Sequence, residues 1–221
     1  MDELIKIKGL TYSYGQTDVL DSVDLDIRAG DFAGIIGGNG TGKSTLVRLI
    51  TGSLKPQSGE IKISAVKEKK SPVISYVAQM QDKKKSSFPA TVEETVMMGL
   101  YSQIGAFRLP KKIHRQKVQN ALEMIGIEIY GKRLIGELSG GQRQKVMIAK
   151  AIVNEPDILI LDEPTTGVDR QSSENIYEIL KMMNDNQHIT ILIISHDIKN
   201  LKLYCKSIYE LEYGKIKKYD I

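Results

Sequence analysis

The chain has 221 residues, 41% hydrophobic and 26% charged, with a net charge of +4 and one cysteine. That length supports one sizeable core with a modest insertion, and the composition is that of an ordinary globular protein. No apolar run approaches the ~20 residues that cross a bilayer, a lone cysteine excludes an intrachain disulfide, and a mild charge without a dense Lys/Arg tract argues against nucleic acid as a partner.

The acidic start, Met1-Asp2-Glu3-Leu4, lacks the apolar stretch of a secretory leader, so any work at a membrane would need another chain as anchor. Leu4, Ile5 and Ile7 open a β segment in which Tyr12 and Tyr14 alternate with Thr11 and Ser13. Val23, Leu25 and Ile27 alternate with Asp24 and Asp26, which predicts a strand with one polar face. After a turn at 29–31, residues 32–36 form a short apolar run suited to a buried strand. It leads into a glycine-rich loop and a helix through Leu46, Val47, Leu49 and Ile50, ended by Thr51-Gly52. Residues 59–63 and 73–77 are further predicted strands. From about Gln81 to Asn154 the alternation gives way to helical spacing, as in Val118, Ala121, Leu122 and Ile125, which predicts a mainly helical insertion. Residues 158–161 and 189–194 return as β-branched apolar runs around a helix at 175–183, a βαβ unit. Residues 207–211 and 214–217 predict a closing hairpin. Cys205 reads as a packing residue more readily than as a reactive thiol.

Three stretches carry chemistry. Gly37-Gly38-Asn39-Gly40-Thr41-Gly42-Lys43-Ser44 fits the pattern G-x-x-x-x-G-K-[ST], in which curled backbone N–H groups and a helix N-terminus cradle phosphates. Lys43 is placed to neutralise the β and γ phosphates and Ser44 to ligate Mg²⁺. Residues 158–163 read as a buried strand ending in Asp162 and Glu163. Strand C-terminal ends are where open α/β sheets bind ligands. Asp162 is assigned to Mg²⁺, directly or through water. Glu163 points the other way and is assigned to the attacking water; without the phosphate loop, the pair would read as an acidic strand cap. In Leu138-Ser139-Gly140-Gly141-Gln142, Ser139 caps the helix 142–152 and two glycines allow close approach to an anion. That stretch is either a plain N-cap or a second phosphate site, one that completes the ATP pocket of another copy.

Taken together, the chain resembles the ABC transporter ATPase family over nearly its whole length. Residues 37–44 resemble the Walker A loop, 158–163 the Walker B strand with its catalytic glutamate, and 138–142 the family signature. The resemblance implies an α/β fold: a P-loop NTPase core with an N-terminal antiparallel β subdomain and an inserted α-helical subdomain. It implies one domain over 1–221, with the core at 1–80 and 155–221 and the helical subdomain at 81–154. Tyr14 falls where the family stacks an aromatic on adenine, and Thr45 joins the nucleotide-binding residues. Gln79 resembles the Q-loop glutamine that reaches Mg²⁺ and the membrane subunit, Asp169 the D-loop, and His196 the switch histidine at the γ-phosphate. Alone, Tyr14, Gln79 and His196 would read as structural; family order and spacing reverse that. Gly38 stands where proline or serine is commoner, Lys150 replaces an arginine without its bidentate geometry, and Lys206 stands where aspartate is frequent.

The implied cofactors are ATP and Mg²⁺, with Lys43, Glu163 and His196 catalytic. The implied assembly is a head-to-tail homodimer sharing its ATP sites, with Ser139, Gly140, Gly141 and Gln142 of one copy facing the phosphate loop of the other. It sits peripherally on the cytoplasmic face of the membrane, against integral permease subunits that an extracytoplasmic binding protein supplies. Phe88-Pro89-Ala90-Thr91-Val92, Val96-Met97-Met98-Gly99 and Thr165-Thr166-Gly167-Val168-Asp169 resemble the branch importing zinc, manganese or iron ions. Uptake of zinc or manganese is the expectation. Import of another small substrate such as an iron chelate, or a soluble non-transport ATPase, are the alternatives. The basic run Arg108, Lys111, Lys112, His114, Arg115 and Lys117 reads as a solvated helix face, or else as a contact for lipid headgroups or an acidic partner.

Overall fold

The computed structural model describes residues 3–64, 72–79 and 89–219. Phe88 and Gln81 of the sequence reading lie outside the described residues. Nine strands occur among them: β1 (Glu3–Tyr14), β2 (Thr17–Arg28), β3 (Phe32–Ile36), β4 (Ser58–Ile63), β5 (Ile74–Val77), β6 (Ile158–Asp162), β7 (Thr190–Ile194), β8 (Ser207–Glu212) and β9 (Lys215–Tyr219). An antiparallel sheet runs in the order β2-β1-β4, and a six-stranded sheet in the order β5-β6-β7-β3-β8-β9. The larger sheet is parallel except for the β8–β9 hairpin. The alternation read in residues 23–27 is realised: Val23, Leu25 and Ile27 are buried and Asp24 and Asp26 exposed.

β3, β6 and β7 are buried along their whole length, as unbroken apolar runs in a doubly covered parallel sheet must be. Successive side chains take opposite faces. Leu159, Leu161, Ile191 and Ile193 join one apolar cluster. Ile158, Ile160, Leu192 and Ile194 join another, shared with the small sheet and with α1 (Lys43–Ile50). The first cluster takes in α2 (Val92–Met97), α4 (Lys112–Ile125) and α5 (Gly140–Ile152), and the short α3 (Tyr101–Ile104) adds Ile104. α6 (Arg170–Gln187) and α7 (Ile198–Tyr204) complete it.

The helix expected at 175–183 is twice as long. Its first turn is polar, so periodicity misses it, but the Asp169 side chain caps it by accepting from the Ser172 N–H at 3.0 Å. His188 ends it in the left-handed region at φ +56°. Val73 was expected in a strand; its N–H instead donates to the Asp157 carboxylate at 2.8 Å. Cys205 is buried, and burial pushes its thiol up to about 12, which fits a packing role. The Lys206 ammonium donates to the Gly30 carbonyl at 3.1 Å, a local use for one of the unusual residues.

Candidate nucleotide-binding site

The strand order β6-β7-β3 brings three C-terminal strand ends side by side. β3 opens into residues 37–44, β6 ends at Asp162, and β7 runs into Ser195 and His196. A cavity of about 810 Å³ lies over these ends, lined by Tyr14, most of residues 37–45, Gln79, Asp162, Glu163 and His196. Of the residues read as one nucleotide site from sequence, the fold therefore gathers all of these at one place.

Two glycines in the loop are forced by geometry. Gly37 has φ +154°, and a Cβ there would sit 2.3 Å from the Leu211 carbonyl oxygen. Gly42 has φ +103°, and its Cβ would lie 2.9 Å from the Val19 carbonyl oxygen. No such pressure exists at Gly38, where the nearest atom to a Cβ is Thr41 Cγ2 at 3.6 Å. Gly42 starts α1 with no side-chain cap, which leaves the first-turn N–H groups free to meet an anion. Lys43 folds over the loop and donates to the Gly37 and Gly38 carbonyls at 2.8 and 2.6 Å. Thr41 does not line the cavity; its hydroxyl donates to the Gly38 carbonyl at 3.0 Å and braces the loop.

The two carboxylates differ in setting. Asp162 is 6% exposed, and its Oδ2 accepts from the Ser44 hydroxyl at 3.3 Å and the Tyr76 hydroxyl at 3.2 Å. Burial, and then the Asp162 charge, push the Tyr76 phenol up to about 12, so it stays a donor at neutral pH. Glu163 turns away at φ +49°, its N–H donating to the Ile194 carbonyl at 2.8 Å. Its Oε2 meets His196 Nδ1 at 2.8 Å and accepts from the Thr166 hydroxyl at 3.3 Å. The Glu163 side chain is largely buried while the imidazole is mostly exposed at the cavity mouth. Tyr14 stands half-exposed at the rim, edge-to-face on Tyr12 with ring centroids 5.1 Å apart.

The signature stretch and Asp169 lie elsewhere. Ser139 caps α5 in a reciprocal pair: the Ser139 N–H donates to Gln142 Oε1 at 2.9 Å, and the Gln142 N–H donates to Ser139 Oγ at 3.3 Å. Gly140 and Gly141 pack on the segment after Glu163; a Cβ on Gly141 would lie 2.9 Å from Ser172, and one on Gly140 3.4 Å from the Gly167 carbonyl. None of residues 139–142 or Asp169 lines the cavity. The Ser172 contacts hold the Asp169 carboxyl below the ordinary carboxylate range.

Sequence reasoning missed three site residues. Val19 lines the cavity from β2 beside Tyr14, Thr166 sits three residues past Glu163, and Tyr76 three before Gln79. Only proximity to recognised motifs could have flagged them.

Ser44 and Asp162 offer hard oxygen donors side by side, and Gln79 lines the same cavity. A cation taking one or two protein oxygens with phosphates and water, as Mg²⁺ does, fits that set.

The profile of the family described as ABC transporter matches residues 20–166. The zinc uptake system ATP-binding protein ZurA of Listeria innocua is 37% identical over 214 residues, 96% of this chain and 83% of that protein. The manganese transport system ATP-binding protein MntA of a Synechocystis species is 35% identical over 205 residues, 91% and 78% of the two chains. The dimeric structure of MJ0796, a bacterial ABC transporter cassette, superposes with a TM-score of 0.80 at 29% identity, covering 99% of this chain and 100% of that one.

Proposed function

The chain belongs to the ABC transporter family, and on that premise we propose that it is the ATP-hydrolysing subunit of an importer for a divalent metal ion, zinc or manganese. One observation carries the catalytic part: a phosphate loop, a serine–carboxylate pair and a second carboxylate braced by a histidine converge on one cavity. The relatives named for zinc and manganese transport support the cargo, as does the sequence resemblance at 88–92, 96–99 and 165–169.

Each residue has a task its surroundings allow. The α1 N-terminus and loop N–H groups bind phosphate oxygens, and Lys43 exchanges the Gly37 and Gly38 carbonyls for the β and γ phosphates. Gly38, Asn39, Gly40, Thr41 and Thr45 complete that cradle, and Tyr14 stacks on the base. Ser44, Asp162 and Gln79 hold Mg²⁺, which when bound neutralises charge on the phosphates. Glu163 orients the attacking water and receives its proton, and His196 fixes the carboxylate at 2.8 Å. Positioning and charge stabilisation supply most of the acceleration.

A second copy completes the site. The N-terminus of α5, with Ser139, Gly140, Gly141 and Gln142, does not line its own cavity; the cap engages the Ser139 and Gln142 N–H groups and leaves those of Gly140 and Gly141 for a phosphate in trans. Asp169 lies in the same face. The helices α2–α5 and Gln79 dock a permease. In favour of this, Met98, Tyr101, Phe107, Leu109 and Ile113 are exposed apolar side chains clustered in sequence on that segment. No helix among the described residues is long and apolar enough to cross a membrane, so the permease would hold the subunit at the cytoplasmic face, with an extracytoplasmic protein delivering the ion.

Reconstitution with a candidate permease tests the reading. Glu163→Gln keeps the shape and the His196 contact but cannot take a proton. ATP binding is expected to persist, while turnover falls about 10²- to 10⁴-fold and zinc or manganese uptake stops. Unchanged turnover, or uptake of neither metal by the wild-type complex, would sink it.

A further inference from the structure

We propose that Tyr76 is a positioning residue for the Asp162 carboxylate, and through it for Mg²⁺ binding, an inference that rests on the nucleotide-site reading above. β5 lies beside β6 in parallel register, with Tyr76 opposite Ile160 and Val77 opposite Leu161. From there the Tyr76 hydroxyl reaches forward to the strand end and donates to Asp162 Oδ2 at 3.2 Å. A carboxylate this buried needs hydrogen-bond donors to satisfy and orient its oxygens. Asp162 Oδ2 has two, Ser44 and Tyr76.

These two donors are not equivalent. Ser44 belongs to the phosphate loop and takes a new partner when nucleotide and cation arrive. Tyr76 is not on that loop and does not line the cavity, so its bond to Asp162 can persist through the cycle. Both donors meet the same oxygen, Oδ2, so a fixed phenol holds in place the carboxylate edge that stands beside Ser44. This is the arrangement by which an outer hydrogen bond orients a metal-binding group.

Tyr76→Phe in the full chain removes the hydroxyl and keeps the ring. Mn²⁺ serves as a paramagnetic probe, titrated by electron paramagnetic resonance in the presence of a non-hydrolysable ATP analogue. Its affinity is expected to fall about 10- to 100-fold, the scale of losing an outer hydrogen-bond partner of a metal-binding carboxylate. The Mg²⁺ concentration for half-maximal ATPase should rise by the same factor. Binding of a fluorescent ATP analogue in EDTA should stay within about twofold of wild type, and thermal unfolding should be little changed, since a merely structural role would move both. Unchanged Mn²⁺ affinity overturns the proposal, as does an equal loss of nucleotide affinity with and without metal. Asp162→Asn is the control. If it too leaves Mn²⁺ affinity intact, the cation-site reading falls and the proposal falls with it; if only Tyr76→Phe is silent, Tyr76 alone is at fault.

Discussion

The phosphate loop makes a differential prediction from two adjacent glycines. At Gly37, an alanine Cβ would stand 2.3 Å from the Leu211 carbonyl oxygen and 2.9 Å from Thr41 Oγ1. The Leu211 atom is backbone of the β8 strand, so relief requires moving either the sheet or the loop by most of an ångström. Overpacking of that kind costs about 1–3 kcal/mol, and a side chain forced into the glycine-only backbone region adds about 1–3 kcal/mol. Gly37→Ala is therefore expected to lose roughly 2–6 kcal/mol of stability and to weaken ATP binding in the fraction that folds. Gly38→Ala meets only Thr41 Cγ2 at 3.6 Å, an ordinary contact, so its stability should stay within about 0.5 kcal/mol with ATP affinity unchanged. Urea unfolding of the three proteins, followed by titration with a fluorescent ATP analogue, reads both quantities. Equal stabilities for the two variants would refute the steric argument. A large loss confined to Gly38→Ala would overturn the conclusion that this unusual glycine is a tolerated variation.

The shared-site reading predicts that Ser139→Ala leaves ATP binding by the isolated chain unchanged but prevents the closed dimer that Glu163→Gln should accumulate; light scattering with ATP on the double variant checks this, and a normal dimer would exclude Ser139 from the interface chemistry. Losing the Ser139 cap should also cost about 1 kcal/mol of stability. The Asp169 carboxyl is depressed by Ser172, so its contribution to stability is fully present above the ordinary carboxylate range and is lost as pH falls below it. Asp169→Asn should accordingly flatten the acid side of the stability profile below about pH 4, and an unchanged acid limb would contradict the assignment.

How much was legible in the sequence depended on what each segment buries. β3, β6 and β7 carry unbroken apolar runs, at 32–36, 158–161 and 191–194, because both faces are covered, and such runs announce themselves. The loop at 37–44 was equally plain, since Gly37, Gly40 and Gly42 answer positive-φ backbone demands that other residues meet only with strain. α6 was found only where it packs: Ile176, Tyr177, Leu180 and Met183 are its buried apolar stripe, while its first turn is polar and its cap lies one residue outside. α7 was not read at all, because seven residues with one buried side chain, Leu201, offer no periodicity. Tyr76 escaped for a different reason. Its partner is 86 residues away and reached only across a strand pair, so nothing local distinguishes it from a strand aromatic.

The pairing of β6 with β7 has a consequence for what kinds of change the protein can absorb. Asp162 sits opposite Ile194, and Glu163 donates to the carbonyl of that same residue. The two acids are neighbours in sequence that serve opposite sides of one strand end, so their identities are set by parity. Deleting a single residue in β6, with the downstream chain drawn back by one, would set Glu163 at the post opposite Ile194 and pull Asp162 into the buried position of Leu161. The net charge would be unchanged, yet a carboxylate would stand in an apolar cluster and the water-facing post would be left without an acid, so the chemistry would be expected to fail. A similar deletion in β9, the edge strand of the larger sheet, would disturb its pairing with β8 and leave the strand ends that carry the site in register. Substitution scanning would underrate this hazard; length scanning, one residue at a time along β6, would reveal it.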